Sequence, residues 1–119
     1  MIDRIRALAE DVHEDLIALR RDLHRRPELA FEEQETAARV VEELEPLPVE
    51  VETGVAETGV IAHLEGGMPG PVLALRADMD ALPIQEENEV AYASEREGLM
   101  HACCHDVHTS SLLGTARIL

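Results

Sequence analysis

Val72-Leu73-Ala74-Leu75-Arg76-Ala77-Asp78-Met79-Asp80-Ala81-Leu82-Pro83 is the stretch on which the fold class turns. Residues 72–77 are almost wholly apolar, the pattern of a central strand covered on both faces. Two carboxylates, Asp78 and Asp80, stand at its exit, where α/β folds build their sites. Working outward, Val60 to Leu64 reads as a short strand, joined to the central one by the turn at residues 66–71. Val49, Val51 and Val55 alternate with Glu50, Glu52 and Gly54, the mark of a half-exposed strand. Earlier still, Ile2, Ile5, Leu8, Val12, Leu16, Leu19 and Leu23 recur at spacings of three and four, an amphipathic helix. Pro27 ends that helix near His24 or Arg25. A second helix is expected from about Glu32 to Leu44, stopped by Pro46. Downstream, residues 79–100 read as a loop with an acidic patch at Glu86, Glu87 and Glu89. A last helix begins near Asp106 and carries Leu112, Leu113, Ala116 and Ile118 without a stop signal. The sum is the opening of an α/β domain, a three-stranded sheet with helices on one face.

Composition removes whole classes of function. The 119 residues allow one domain at most. Twenty-five Asp and Glu against ten Arg, with no Lys, give a net charge of −15. Such a field repels nucleic-acid phosphates and anionic headgroups, so neither nucleic acid nor a membrane is the expected partner. One Tyr, one Phe and no Trp leave little surface for base stacking. Cys103 and Cys104 are neighbours, so they staple no loop. Without a basic segment and apolar core at its start, the chain reads as cytoplasmic. The acid excess suits either a salt-rich cytoplasm or a biased genome composition.

Reactive side chains concentrate in two places. Asp78 and Asp80 share a face if the strand continues; the duller account makes them strand-exit and turn residues. Met100-His101-Ala102-Cys103-Cys104-His105-Asp106-Val107-His108 packs thiols, imidazoles and a carboxylate together, donors that a borderline-soft ion such as Zn²⁺ binds. Taken singly, the cysteines are explained as small buried residues, His101 and His108 as part-exposed surface histidines, and Asp106 as a helix N-cap. The spacing matches no closed structural zinc site, and it also admits a cysteine nucleophile with a histidine base.

Four ordered motifs carry a resemblance: His24-Arg25-Arg26-Pro27-Glu28-Leu29, Thr58-Gly59-Val60, residues 75–86 and residues 101–106. The sequence is similar to the amino-terminal part of the metal-dependent amidohydrolases that include hippurate hydrolases, N-acyl-amino-acid hydrolases and related carboxypeptidases. The resemblance implies an incomplete α/β catalytic domain over residues 1–119, with helices packed on a small sheet and the lid domain absent. It implies two divalent ions, Zn²⁺, Mn²⁺ or Co²⁺, and a small N-acyl amino acid as substrate. By position, Cys103 and His105 match metal ligands, and Asp80 matches the acid that orients a ligand in the catalytic machinery. Asp78 is a possible further site residue, since related peptidases place a ligating His there.

One departure stands inside the motif: Cys104 occupies a position that is Gly in the family pattern. If that Gly serves a positive φ, a Cβ there costs roughly 1 kcal/mol or more. The family's other ligands and its general-base Glu have no counterpart in the sequence, so the chain alone is expected to be inactive. Two alternatives are a non-catalytic remnant that binds metal weakly and a Cys–His thiol hydrolase.

Overall fold

The computed structural model describes all of residues 1–119. Three helices and one two-stranded sheet follow in the order α1 (Ile2–Arg25), α2 (Gln34–Leu44), β1 (Val49–Val55), β2 (Gly59–Leu64) and α3 (His105–Ile118). No helix is long and apolar enough to cross a membrane.

Helix α1 ends where Pro27 demands, with the Arg26 N–H closing on the Leu23 carbonyl. Only the carboxyl-terminal half of its apolar stripe is used. Leu19 and Leu23 are buried with Val40 and Leu44 of α2 and Leu113 of α3, and these five form the core. Ile2 and Ile5 remain exposed. The reason is length and direction: α3 runs antiparallel to α1, with Asp106 against His24 and Arg117 beside Asp15. At 1.5 Å per residue α3 covers about 21 Å of α1, a little over half of it. Gly114 makes the approach possible, because a Cβ there would stand 2.4 Å from the Leu16 side chain.

Helix α2 begins at Gln34, two residues later than periodicity suggests. The chain first makes a turn, with Phe31 at φ 66° and the Glu32 N–H donating to the Leu29 carbonyl. Its first-turn donors are then satisfied from a distance. The buried carboxylate of Glu28 accepts from the Glu35 N–H at 3.1 Å, the Thr36 N–H at 2.7 Å and the Thr36 hydroxyl at 2.7 Å. Glu33, also buried, accepts from the Thr58 hydroxyl at 2.6 Å and so ties the start of α2 to the β1–β2 turn. Strands β1 and β2 pair antiparallel from Val49↔Leu64 to Val55↔Gly59. Gly59 is required there, since a Cβ would lie 2.5 Å from the Val55 carbonyl oxygen.

The central strand expected at residues 72–77 is not formed, and the sheet has two strands rather than three. Val72 is 99% exposed and Leu73 79%. A strand is defined by its ladder, and β1 and β2 satisfy each other while nothing pairs with residues 72–77. Its exit is nevertheless anchored. The Ala81 N–H donates to the Glu28 carbonyl at 2.7 Å, and Leu82 and Met100 exchange both backbone hydrogen bonds at 3.0 Å. Tyr92 completes the clasp between residues 79–100 and α1, lying under the guanidinium groups of Arg20 and Arg21 at 5.1 and 5.0 Å.

Because Glu28 replaces a local N-cap, Glu28→Ala is expected to destabilise the chain by about 2 kcal/mol, the upper range for loss of a cap. Denaturant unfolding followed by circular dichroism measures this; a loss below about 0.5 kcal/mol would remove the capping role.

Candidate metal centre

The clip between Leu82 and Met100 sets the geometry, because it brings the exit of residues 72–77 beside the loop that enters α3. Asp80 arrives from one side and His105, the first residue of α3, from the other. His105 Nδ1 lies 2.9 Å from Asp80 Oδ1 and 3.0 Å from the Asp80 backbone oxygen. A backbone carbonyl only accepts, so Nδ1 carries the proton and donates. In the neutral ring Nε2 then keeps the lone pair, and it faces Asp78 Oδ2 at 4.0 Å. Asp78 is itself held: Oδ1 accepts from the Arg76 guanidinium at 2.7 Å, and its backbone oxygen accepts from the Thr109 hydroxyl at 3.0 Å.

Cys103 and Cys104 are both exposed free thiols, not the small buried residues that composition allowed. No three His, Cys, Asp or Glu side chains converge at metal-binding distances. The donor types fit a divalent transition ion, but the contacts gather only the Asp80–His105 pair with Asp78 close by. Cys104 is the N-cap of α3 and sits at φ 61°, ψ 30°, in the left-handed region. His108 is exposed, its ring 5.5 Å from that of His105.

The two remaining members of the motif turn inward. Asp106 is not the N-cap; it lies one residue inside α3, and its side chain is wholly buried. Its Oδ1 accepts from the Val107 N–H at 3.0 Å. Its Oδ2 is 2.7 Å from His24 Nδ1 and 2.8 Å from Arg20 Nε. His24 Nε2 in turn lies 3.1 Å from Glu86 Oε1. Burial pushes the Glu86 carboxyl up, but the Ser94 N–H, His24 and Asn88 donate to it and hold it below its ordinary value. Glu86 therefore belongs to the interior, not to a solvated acidic patch. His101, expected to be part exposed, is 2% exposed, and neither ring nitrogen has a partner. Burial pushes its imidazole below the usual histidine range against the pull of Asp106. Sequence reading missed this buried group because its members lie far apart in the chain; the one local signal is the i, i+4 spacing of Arg20 and His24.

Residues 74–119 match the model of peptidase family M20/M25/M40. The chain is 51% identical over 116 residues to an N-acyl-L-amino acid amidohydrolase of Geobacillus stearothermophilus, covering 98% of this chain and 31% of that protein. It is 41% identical over 120 residues to thermostable carboxypeptidase 2 of Saccharolobus solfataricus, covering 100% and 30%. The crystal structure of a Bacillus subtilis dinuclear metal-binding peptidase of the M20 family superposes with a TM-score of 0.87 at 49% identity, over 92% of this chain and 31% of that one. These likenesses are to proteins of the M20 peptidase family. The chain is a small α/β portion spanning about three-tenths of the length of these M20 relatives.

Two outcomes follow from the strain at Cys104 and the burial of Glu86. Cys104→Gly is expected to raise stability by about 1 kcal/mol by removing a Cβ from a left-handed residue. Cys104→Ala leaves stability near its starting value; equal melting of all three proteins would refute the strain. Glu86 has a folded-state value below its unfolded one, so its contribution is present above the unfolded value and lost as pH falls through the folded one. Unfolding free energies measured from pH 6 down to pH 3 should therefore fall less steeply in Glu86→Gln than in the unchanged chain; parallel slopes would exclude it.

Proposed function

We propose that residues 1–119 form part of the catalytic domain of a metal-dependent amidohydrolase, acting in the intact protein on N-acyl amino acids or related small amides. In this reading Cys103 and His105 are metal ligands, Asp80 orients His105, and Asp78 is a further site residue. The observation that supports it most is the double acceptance of the His105 Nδ1 proton by Asp80. It selects the tautomer in which Nε2 is a donor atom and fixes the ring plane, as the carboxylate behind a metal-bound histidine does. The substrate class comes from the relatives, which include an amidohydrolase of N-acyl-L-amino acids. The dinuclear peptidase of Bacillus subtilis supports two ions in the intact site.

Bound ions would supply Lewis acidity toward the amide carbonyl and lower the pKa of a water molecule. The chain's own groups have simpler duties. Cys103, exposed and next to the helix entrance, offers sulfur. His105 offers Nε2 on the side of Asp78. Asp80 holds the Nδ1 proton throughout, so the ring does not turn. The general base and the remaining ligands have no candidate among the contacts described, so the chain alone is expected to turn over no substrate.

The test is a metal titration of residues 1–119 and of the single variants Cys103→Ala, His105→Ala and Asp80→Ala. Co²⁺ should give a thiolate-to-metal absorption band that disappears in Cys103→Ala, and each variant should lose at least about tenfold in Zn²⁺ affinity. Zn²⁺ affinity unchanged in Cys103→Ala and His105→Ala would sink the ligand assignment. Hydrolysis of N-acyl amino acids that persists in excess chelator and is abolished by thiol alkylation would favour the Cys–His thiol hydrolase instead.

A further inference from the structure

We propose that His24 is the positioning residue of this centre: by joining Asp106 on α3 to Glu86 on the segment that carries Asp80, it sets the separation of Asp80 and His105. The inference rests on the metal reading above only for its consequence; the geometry is independent of it.

His24 is buried, and each ring nitrogen faces a carboxylate. On the Nδ1 side is Asp106, adjacent to His105 in the first turn of α3. On the Nε2 side is Glu86, which also accepts from the Ser94 N–H at 2.6 Å and the Asn88 amide at 3.1 Å. Glu86 thus gathers the loop that begins at Asp80, and His24 hands that loop to the helix that begins at His105. A rigid imidazole has polar atoms at both ends at a fixed spacing, which a flexible amide or amine lacks. Of the two carboxylates, Arg20 pairs only with Asp106, while its guanidinium lies over Tyr92. Arg20 reaches residues 79–100 only by stacking on Tyr92, whereas His24 carries a buried hydrogen-bond contact to each of the two elements.

His105 and Asp106 are about 100° apart around the helix axis, so they face different neighbours. Asp80 holds the first and His24 the second. Without the bond from His24, α3 keeps Leu113 in the core, the Arg20–Asp106 pair and the Thr109–Asp78 bond, but its first turn loses the buried link to Glu86 that helps set the Asp80–His105 distance.

His24→Gln in residues 1–119 is the test, with Zn²⁺ affinity by competition and the ring ¹⁵N shifts of His105 as readouts. The expected result is a loss of roughly tenfold or more in Zn²⁺ affinity, as for a group supporting a ligand. In the metal-free protein the His105 shifts should move from the Nδ1–H tautomer toward a mixture. Thr58→Val, which breaks the remote buried bond to Glu33, lowers stability and should change neither readout. If His24→Gln does not fold, Asp106→Asn keeps the acceptor for the Val107 N–H while weakening the bond to His24. Zn²⁺ affinity within about twofold of the starting value and an unchanged tautomer, with Cys103→Ala still losing affinity, would overturn the positioning role and leave the metal reading standing. A chain that binds no Zn²⁺ would overturn the metal reading; the His105 tautomer would then decide the positioning role alone.

Discussion

The carboxylate of Asp106 is the constraint on which the structure depends. Its side chain is wholly buried, and an ionised group taken out of water is tolerated only with partners on its oxygens. The chain provides three: the Val107 N–H on one oxygen, and His24 and Arg20 on the other. Breaking such a group by removing one partner costs on the order of 3–5 kcal/mol, comparable with the whole stability of a small domain. The apolar core of five residues offers no such directionality. It holds α1, α2 and α3 together by close packing, as at Gly114 against Leu16, without hydrogen bonds aimed at particular atoms. Direction comes from the buried polar group, and with it the aim of His105.

How much of this was legible in the sequence depends on the range of the force involved. The helices were, because a 3.6-residue period needs only one apolar face and a Pro to stop it; α1 ends at Arg25 as Pro27 requires. Strands β1 and β2 were, because the alternation from Val49 to Val55 and the short run from Val60 to Leu64 are local. Residues 72–77 read as a strand and form none, because apolarity on both faces reports what a segment would bury, while strand pairing depends on another segment being beside it. Ile2 and Ile5 stay exposed for a related reason, an apolar stripe longer than the helix that covers it.

At the centre, residue types were legible and roles less so. Composition alone marks residues 101–108 as donor-rich. Nothing local says that His101 and Asp106 face inward while Cys103 and Cys104 face solvent. The inward pair is explained by a neighbour of Asp106 that stands 82 residues away in sequence, His24. The contact between Asp80 and His105 spans 25 residues and depends on the Leu82–Met100 clip, which has no residue signature because it is made of backbone groups.

Cys104 shows how the two ranges meet. A left-handed residue at a helix N-cap turns the chain sharply, and the cost of a Cβ there, about 1 kcal/mol, is local. Relaxing it would rotate the residues that follow. His105 is held by Asp80 and Asp106 by His24 and Arg20, so rotation in either direction gives up a buried or half-buried hydrogen bond to a charged group, each worth about 1.5–3 kcal/mol. The larger figure prevails, and the strain persists because the surrounding contacts over-determine it. Cys103 lies just before the strained residue and Asp106 two beyond it, so the thiol faces solvent while the carboxylate enters the interior. A sharp turn separates the two faces of the motif, one lined by candidate ligands and the other anchored in the protein.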